Sequence, residues 1–157
     1  MFQGRRRLVG DFVKMATVEV AKEDIVRRQI ESVGRDASVD DELYAPDAVC
    51  YDPLTPQGMK GRNAIRKYHE MIVKGGTDAD CRVVSITSKG DTAAAEWVVT
   101  AIHSGPFEMP TGTLPATNRR VTLRGATFYR FNREGLIAEH RDYFDVAGLL
   151  QQLGVKP

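Results

Sequence analysis

Apolar positions along the chain change rhythm near its middle, from a helical spacing to a strand spacing. After about Lys22, Val26, Ile30 and Val33 recur every three to four residues. Glu23 and Asp24 sit in the first turn, where the helix dipole favours acidic side chains, and Gly34 is a stop. A short second helix is expected around Asp40–Tyr44, followed by a turn at Ala45-Pro46-Asp47. Val49-Cys50-Tyr51-Asp52 reads as a short strand stopped by Pro53, and residues 53–61 as a loop rich in proline and glycine. Ala64, Ile65, Tyr68, Met71 and Ile72 form the apolar stripe of a third helix ending near Gly75-Gly76. His69, next to Tyr68 on this helix, is expected on its surface.

Alternation then takes over. Cys81–Thr87 and Thr92–His103 flank Lys89-Gly90-Asp91, which predicts a hairpin. A loop is expected over Gly105–Asn118. Within Arg119–Phe131, Val121, Leu123, Tyr129 and Phe131 share one face, opposite Arg120, Thr122, Arg124 and Arg130. Asn132–Gly135 is a turn, Leu136–Phe144 the last strand, and Leu149, Leu150 and Leu153 mark a closing helix over Val146–Leu153. Helices gathered early and long strands late imply an α+β fold, not alternating α/β. A curved sheet covered on one face by helices makes a cone with an interior pocket, the natural place for a small ligand.

Composition narrows the function classes. The chain has 157 residues, room for one domain, with 22 basic and 21 acidic residues and a net charge of +1. That balance argues against a nucleic-acid partner, which needs a basic excess. No apolar run approaches a membrane span, and two cysteines, Cys50 and Cys81, make no disulfide framework, so a cytoplasmic location is expected. Residues 1–17, basic at Arg5-Arg6-Arg7 and without sustained period, read as a flexible extension preceding a single domain over 18–157. The three histidines have no metal-ligand spacing and no phosphate loop is present, so neither metal nor cofactor is expected.

Several strings carry a family resemblance. Leu43-Tyr44-Ala45-Pro46-Asp47-Ala48-Val49, Tyr51-Asp52-Pro53 and Lys60-Gly61-Arg62-Asn63-Ala64-Ile65 resemble the helix–strand–helix segment of nuclear-transport-factor-2-like cone proteins. Pro115-Ala116-Thr117, Gly135-Leu136-Ile137-Ala138-Glu139-His140 and Leu149-Leu150-Gln151-Gln152-Leu153-Gly154 resemble the C-terminal half of SnoaL-like polyketide cyclases. Arg141-Asp142-Tyr143-Phe144-Asp145 is similar to the final strand of limonene-epoxide hydrolases. The resemblance covers roughly residues 22–154 and implies a curved mixed or antiparallel sheet enclosing a pocket.

What the resemblance implies about chemistry differs by branch. In ketosteroid isomerases a general-base aspartate precedes a proline on the first strand, the place of Asp52; the oxyanion-hole positions fall on Gln29 and Thr127. Among epoxide hydrolases the last-strand aspartate matches Asp142, while the partner arginine and aspartate fall on Trp97 and Val99 and the water-holding asparagine on Asp52. The acid/base aspartate of SnoaL-like cyclases lies nearest His140. Asp52, Asp142 and His140 are therefore the expected catalytic residues. Gln29, Trp97, Val99, His103, Thr127, Tyr129 and Phe144 are the expected substrate contacts.

Each has a plainer reading. Asp52 also reads as a strand-end aspartate closing a turn, as aspartate before proline commonly does. Ala138, His140, Asp142 and Phe144 share one face of the last strand, but alternation alone does not say which face is inside. Trp97 and Tyr129 are as readily core packing as ligand contacts, and His103 as readily rim. The expected function is cofactor-independent acid/base chemistry, cyclisation or isomerisation, on a hydrophobic carbonyl or polyketide-type substrate. An epoxide hydrolase or epoxide-opening cyclase is the alternative, and a non-catalytic ligand-binding domain the second. A homodimer is expected through the outer sheet face, with Glu96, Val98, Thr100 and Ile102 beside Thr122, Arg124 and Phe128.

Overall fold

A computed structural model describes residues 3–155. Helix α1 (Gln3–Ser32) is followed by a 3-10 turn (Ala37–Val39), α2 (Asp40–Leu43), strands β1 (Tyr44–Asp52) and β2 (Thr55–Lys60), and α3 (Arg62–Gly75). Then come β3 (Thr77–Lys89), β4 (Thr92–Ile102), the short β5 (Phe107–Met109) and β6 (Gly112–Leu114), β7 (Arg120–Phe131), β8 (Ile137–Phe144) and α4 (Val146–Leu153). Six strands form one sheet in the order β2-β1-β8-β7-β4-β3, and β5 pairs only with β6. All neighbours are antiparallel except β1 and β8, which run parallel. This is the α+β, nuclear-transport-factor-2-like cone.

Where the elements differ from expectation, proline and glycine explain it. The chain is already extended through Ala45-Pro46-Asp47, at a break in the β1–β8 register between Tyr44 and Val49, where proline's missing N–H costs no ladder bond. The expected loop 53–61 contains β2, an edge strand that tolerates Pro56 because only one side is paired. The expected loop over 105–118 contains the β5–β6 hairpin. At the N-terminus α1 begins at Gln3, well before Lys22. Its residues 8–15 are all exposed, Phe12 at 76%, so this stretch adds nothing to the core.

From Val26 onward α1 is anchored. Val26, Gln29 and Ile30 turn inward at helical spacing, and Gly34, at φ +74°, reverses the chain beside Ala79. On α3, Ile65 and His69 are buried one turn apart, and Arg62 ties the helix start to the carbonyls of Asp41 and Tyr44. The core joins these helical faces to Tyr44, Ala48 and Cys50 of β1, Ala95 and Trp97 of β4, and Tyr129 and Phe131 of β7. Outside, Phe128 and Tyr143 meet edge to face on the uncovered side of the sheet, 47% and 56% exposed. Ile102, expected on that outer face, instead lines the inner cavity where β4 ends.

Ile65 is fully buried between α3 and the sheet. Ile65→Ala is expected to cost about 2–5 kcal/mol in urea denaturation, through lost transfer energy and the void left behind. Val84→Ala, at a 62% exposed position, should stay within about 0.5 kcal/mol of wild type.

Candidate active site

The helices close over the concave sheet and leave a cavity of about 200 Å³. Its wall is mostly apolar, with Ile30, Val33, Ile72, Val99, Leu123 and Phe144 among the lining residues. Polar groups gather in one region, where the registers of three strands converge. Thr127 of β7 stands opposite Asp142 of β8, Tyr129 opposite His140, and His140 in turn opposite Cys50 of β1. Side chains two apart on a strand share a face, so His140, Asp142 and Phe144 all point inward.

Asp142 is the focus. The Trp97 Nε1–H donates to Thr127 Oγ1 over 2.8 Å; because an indole nitrogen only donates, the Thr127 hydroxyl passes its own hydrogen to Asp142 Oδ1. His140 Nε2 donates to the same oxygen at 2.8 Å. At the far side of the ring, Nδ1 lies 2.5 Å from the Tyr44 hydroxyl, whose proton is held tightly because burial pushes its pKa well up. Both ring nitrogens of His140 are thus engaged, and its buried side chain forms part of the cavity wall and fixes Asp142. Both donors to Asp142 land on Oδ1, leaving Oδ2 without a donor among the described residues. The side chain is 20% exposed.

The ionisation of Asp142 follows from these contacts. Burial raises its pKa, but the His140 charge, hydrogen bonds from His140 and Thr127, and the His69 charge outweigh burial and hold the carboxyl below its ordinary value. The Trp97 ring is aimed at Thr127 partly by Gly125 opposite it. A Cβ at Gly125 would sit 2.5 Å from the indole and 2.7 Å from the Tyr143 carbonyl.

The other expected residues take varied places. Asp52 is buried on the cavity wall, and its Oδ1 accepts from the backbone N–H groups of Leu54 at 2.6 Å and Thr55 at 2.9 Å. It therefore closes a strand-end turn and lines the cavity at once. Tyr68 of α3 lies beside it, its hydroxyl pKa driven up by burial and by the charge and hydrogen bond of Asp52. Gln29, Trp97, Val99, His103, Thr127 and Phe144 all line the cavity. Tyr129, expected as a substrate contact, does not: its hydroxyl is spent on Gln29 Oε1 at 2.7 Å, behind the wall. His103 Nδ1 accepts from the Thr117 N–H at 3.2 Å, which places any ring proton of the neutral form on Nε2, and burial lowers its pKa.

One expectation is overturned. His69 is not on the helix surface but 7% exposed on the cavity wall, with Nδ1 2.7 Å from Asp40 Oδ2. The signal was present in the sequence. His69 lies four residues after Ile65 and three before Ile72, at the centre of the buried stripe. Asp40 carried no such signal, because its role depends on a contact 29 positions away. Among the described residues no three His, Cys, Asp or Glu side chains form a metal-binding group, and no helix is long and apolar enough to cross a membrane.

Comparison with known proteins places this geometry. The profile of the SnoaL-like domain matches residues 26–140. AclR from Streptomyces galilaeus, named as a candidate hydroxylase, is 26% identical with a TM-score of 0.72, over 91% of this chain and 99% of its own. IdmH from Streptomyces antibioticus, named as a candidate polyketide cyclase, is 27% identical with a TM-score of 0.66, over 85% and 99%. A Catenulispora acidiphila protein with a ketosteroid isomerase-like fold is 21% identical with a TM-score of 0.67, over 84% and 93%. A search of curated proteins returned no match.

The lowered Asp142 pKa has a consequence for stability. An unfolded chain protonates this carboxyl near 3.8, above the folded value. The group's contribution is therefore complete above the unfolded value and is lost as pH falls through the folded one. Urea titrations of wild type and Asp142→Asn at stepped pH should show their stability difference shrinking as pH drops from about 5 to about 3. A difference that grows over that range would contradict the assigned ionisation.

Proposed function

The chain belongs to the SnoaL-like domain family, and from that premise we propose that it is a cofactor-independent enzyme of the cyclase or isomerase type, with Asp142 as general base on a hydrophobic carbonyl substrate. One observation supports this most directly: a carboxylate on an otherwise apolar wall, tied down through Oδ1 by two donors and open at Oδ2. Such a group removes a proton from carbon next to a carbonyl. The C–H pair becomes the C=C bond of an enolate, and the carbonyl π pair moves to oxygen. In a cyclisation the nucleophilic carbon then attacks a second carbonyl of the same chain; in an isomerisation it is reprotonated elsewhere.

The carboxylate is suited to the task in position more than in basicity. His140 and Thr127 fix its plane, and an apolar ligand that displaces water removes the solvent that competes for Oδ2. Trp97 and Val99 stand where the epoxide-hydrolase pattern has its arginine and aspartate, and Trp97 is committed to Thr127. Nothing there polarises an epoxide oxygen, so enolisation is the reading we favour. The neighbours named as candidate cyclase and hydroxylase agree with small-molecule chemistry and do not decide between reactions.

A substrate-independent assay tests this. 2-Tetralone is an apolar bicyclic ketone with acidic α-hydrogens, and their exchange in D2O is followed by proton NMR. Wild type should accelerate exchange above the buffer rate, and Asp142→Asn should lose about 10²–10⁴-fold of the protein-dependent rate while unfolding within a few degrees of wild type. No acceleration by wild type, or an undiminished rate in Asp142→Asn, would overturn the proposal.

A further inference from the structure

An enolate needs a donor at its oxygen, and the cavity offers few. The titratable side chains on the wall are Asp52, Tyr68, His69, His103, His140 and Asp142. His140 has both nitrogens bonded. Asp52 Oδ1 accepts two backbone N–H groups, and the neighbouring Tyr68 hydroxyl is hydrogen-bonded to Asp52. His103 follows β4 at the far end of the cavity. Thr127, which contacts Asp142, pairs with Ala95, eight residues earlier, or about 25 Å along a strand.

His69 is different on each count. Its ring is 6.4 Å, centroid to centroid, from His140 and so stands beside the His140–Asp142 pair. Nδ1 is held at 2.7 Å by Asp40, a carboxylate 1% exposed whose other oxygen has no partner among the described residues. A carboxylate so buried, with one hydrogen-bonded oxygen, depends on this imidazole for its compensation. The pairing fixes the ring and keeps a proton on Nδ1, so Nε2 is the nitrogen left for the cavity.

We propose that His69, oriented by Asp40, is the second acid/base residue of the site and serves the oxygen of an enolisable ketone while Asp142 serves its α-carbon. This rests on the Asp142 reading above. His69 enters the step protonated. As Asp142 takes the α-proton, the carbonyl π pair moves to oxygen and is captured by the proton on Nε2. The products are the enol, a neutral His69 still bonded to Asp40 through Nδ1–H, and a protonated Asp142. Return of the proton from Asp142 to carbon, and of the hydroxyl proton to Nε2, restores the starting state. Asp40 is a positioning residue: it touches the ring and not the substrate.

The test uses the full chain with 2-tetralone and its enol mimic 2-naphthol. His69→Gln should lower the 2-tetralone exchange kcat about 100-fold with KM within about threefold, and Asp40→Asn should reproduce part of the kcat loss. Wild-type protein labelled with 15N-histidine supplies a readout that survives if a variant misfolds: saturating 2-naphthol should move the His69 Nε2 resonance and leave its Nδ1 nearly in place. If His69→Gln exchanges within threefold of wild type while Asp142→Asn does not, the His69 assignment is wrong and the Asp142 reading stands. Loss of neither rate removes both. A 2-naphthol titration that moves only His103, or no histidine, also overturns the assignment.

Discussion

The polar network of Tyr44, Trp97, Thr127 and His140 is organised around one electrostatic problem, an anionic carboxylate placed at the wall of an apolar cone. Left undonated, such a charge would be abandoned by protonation or by exposure. Here four elements converge to keep it. Tyr44 opens β1, Trp97 belongs to β4, Thr127 to β7, and His140 to β8 beside Asp142 itself. The two donor chains have a fixed direction, indole to hydroxyl to carboxylate and imidazole to carboxylate, because the indole and the carboxylate each have only one role available. Directionality of this kind fixes a single arrangement, since reversing one bond would orphan a buried donor.

That requirement reaches into the fold. The parallel pairing of β1 with β8 places Tyr44 on the strand next to the one carrying His140, which a purely antiparallel meander in chain order would not do. Gly125 stands opposite Trp97 because any side chain there would strike the indole and push it from Thr127. Two positions far from Asp142 in sequence, a glycine and a strand-opening tyrosine, are thus tied to its surroundings by packing and by register.

The same reasoning explains what could be read from the sequence and what could not. The period-2 pattern of the last strand put His140, Asp142 and Phe144 on one face, and the register confirms that this face is interior. Helix spacing placed Val26 and Ile30 correctly, with Gln29 on the wall between them. The strand β2 and the β5–β6 hairpin were hidden by proline and glycine, because an edge strand and a two-stranded ribbon can carry residues that a central strand cannot. Tyr44 was hidden for a different reason. Its hydroxyl meets a ring 96 positions away, and no local pattern encodes a pairing set by a parallel strand order. His69 was legible from its place in the Ile65–Ile72 stripe; polarity masked it, since a buried histidine reads as surface until its partner is known.

The strength of Asp142 as a base is set by its surroundings. The donors that position it also stabilise its anion, so in the open cavity it is a weak base. Those donors occupy Oδ1 alone, and the remaining stabilisation of Oδ2 comes from whatever fills the cavity. Water stabilises it further; an apolar ligand does not. Filling the cavity with an apolar ligand therefore raises the proton affinity of the carboxylate, and in the proposed reaction this happens as the substrate carbon is brought to it. Binding and basicity are coupled through the same oxygen, and the largely apolar wall around a few polar groups is what makes that coupling strong.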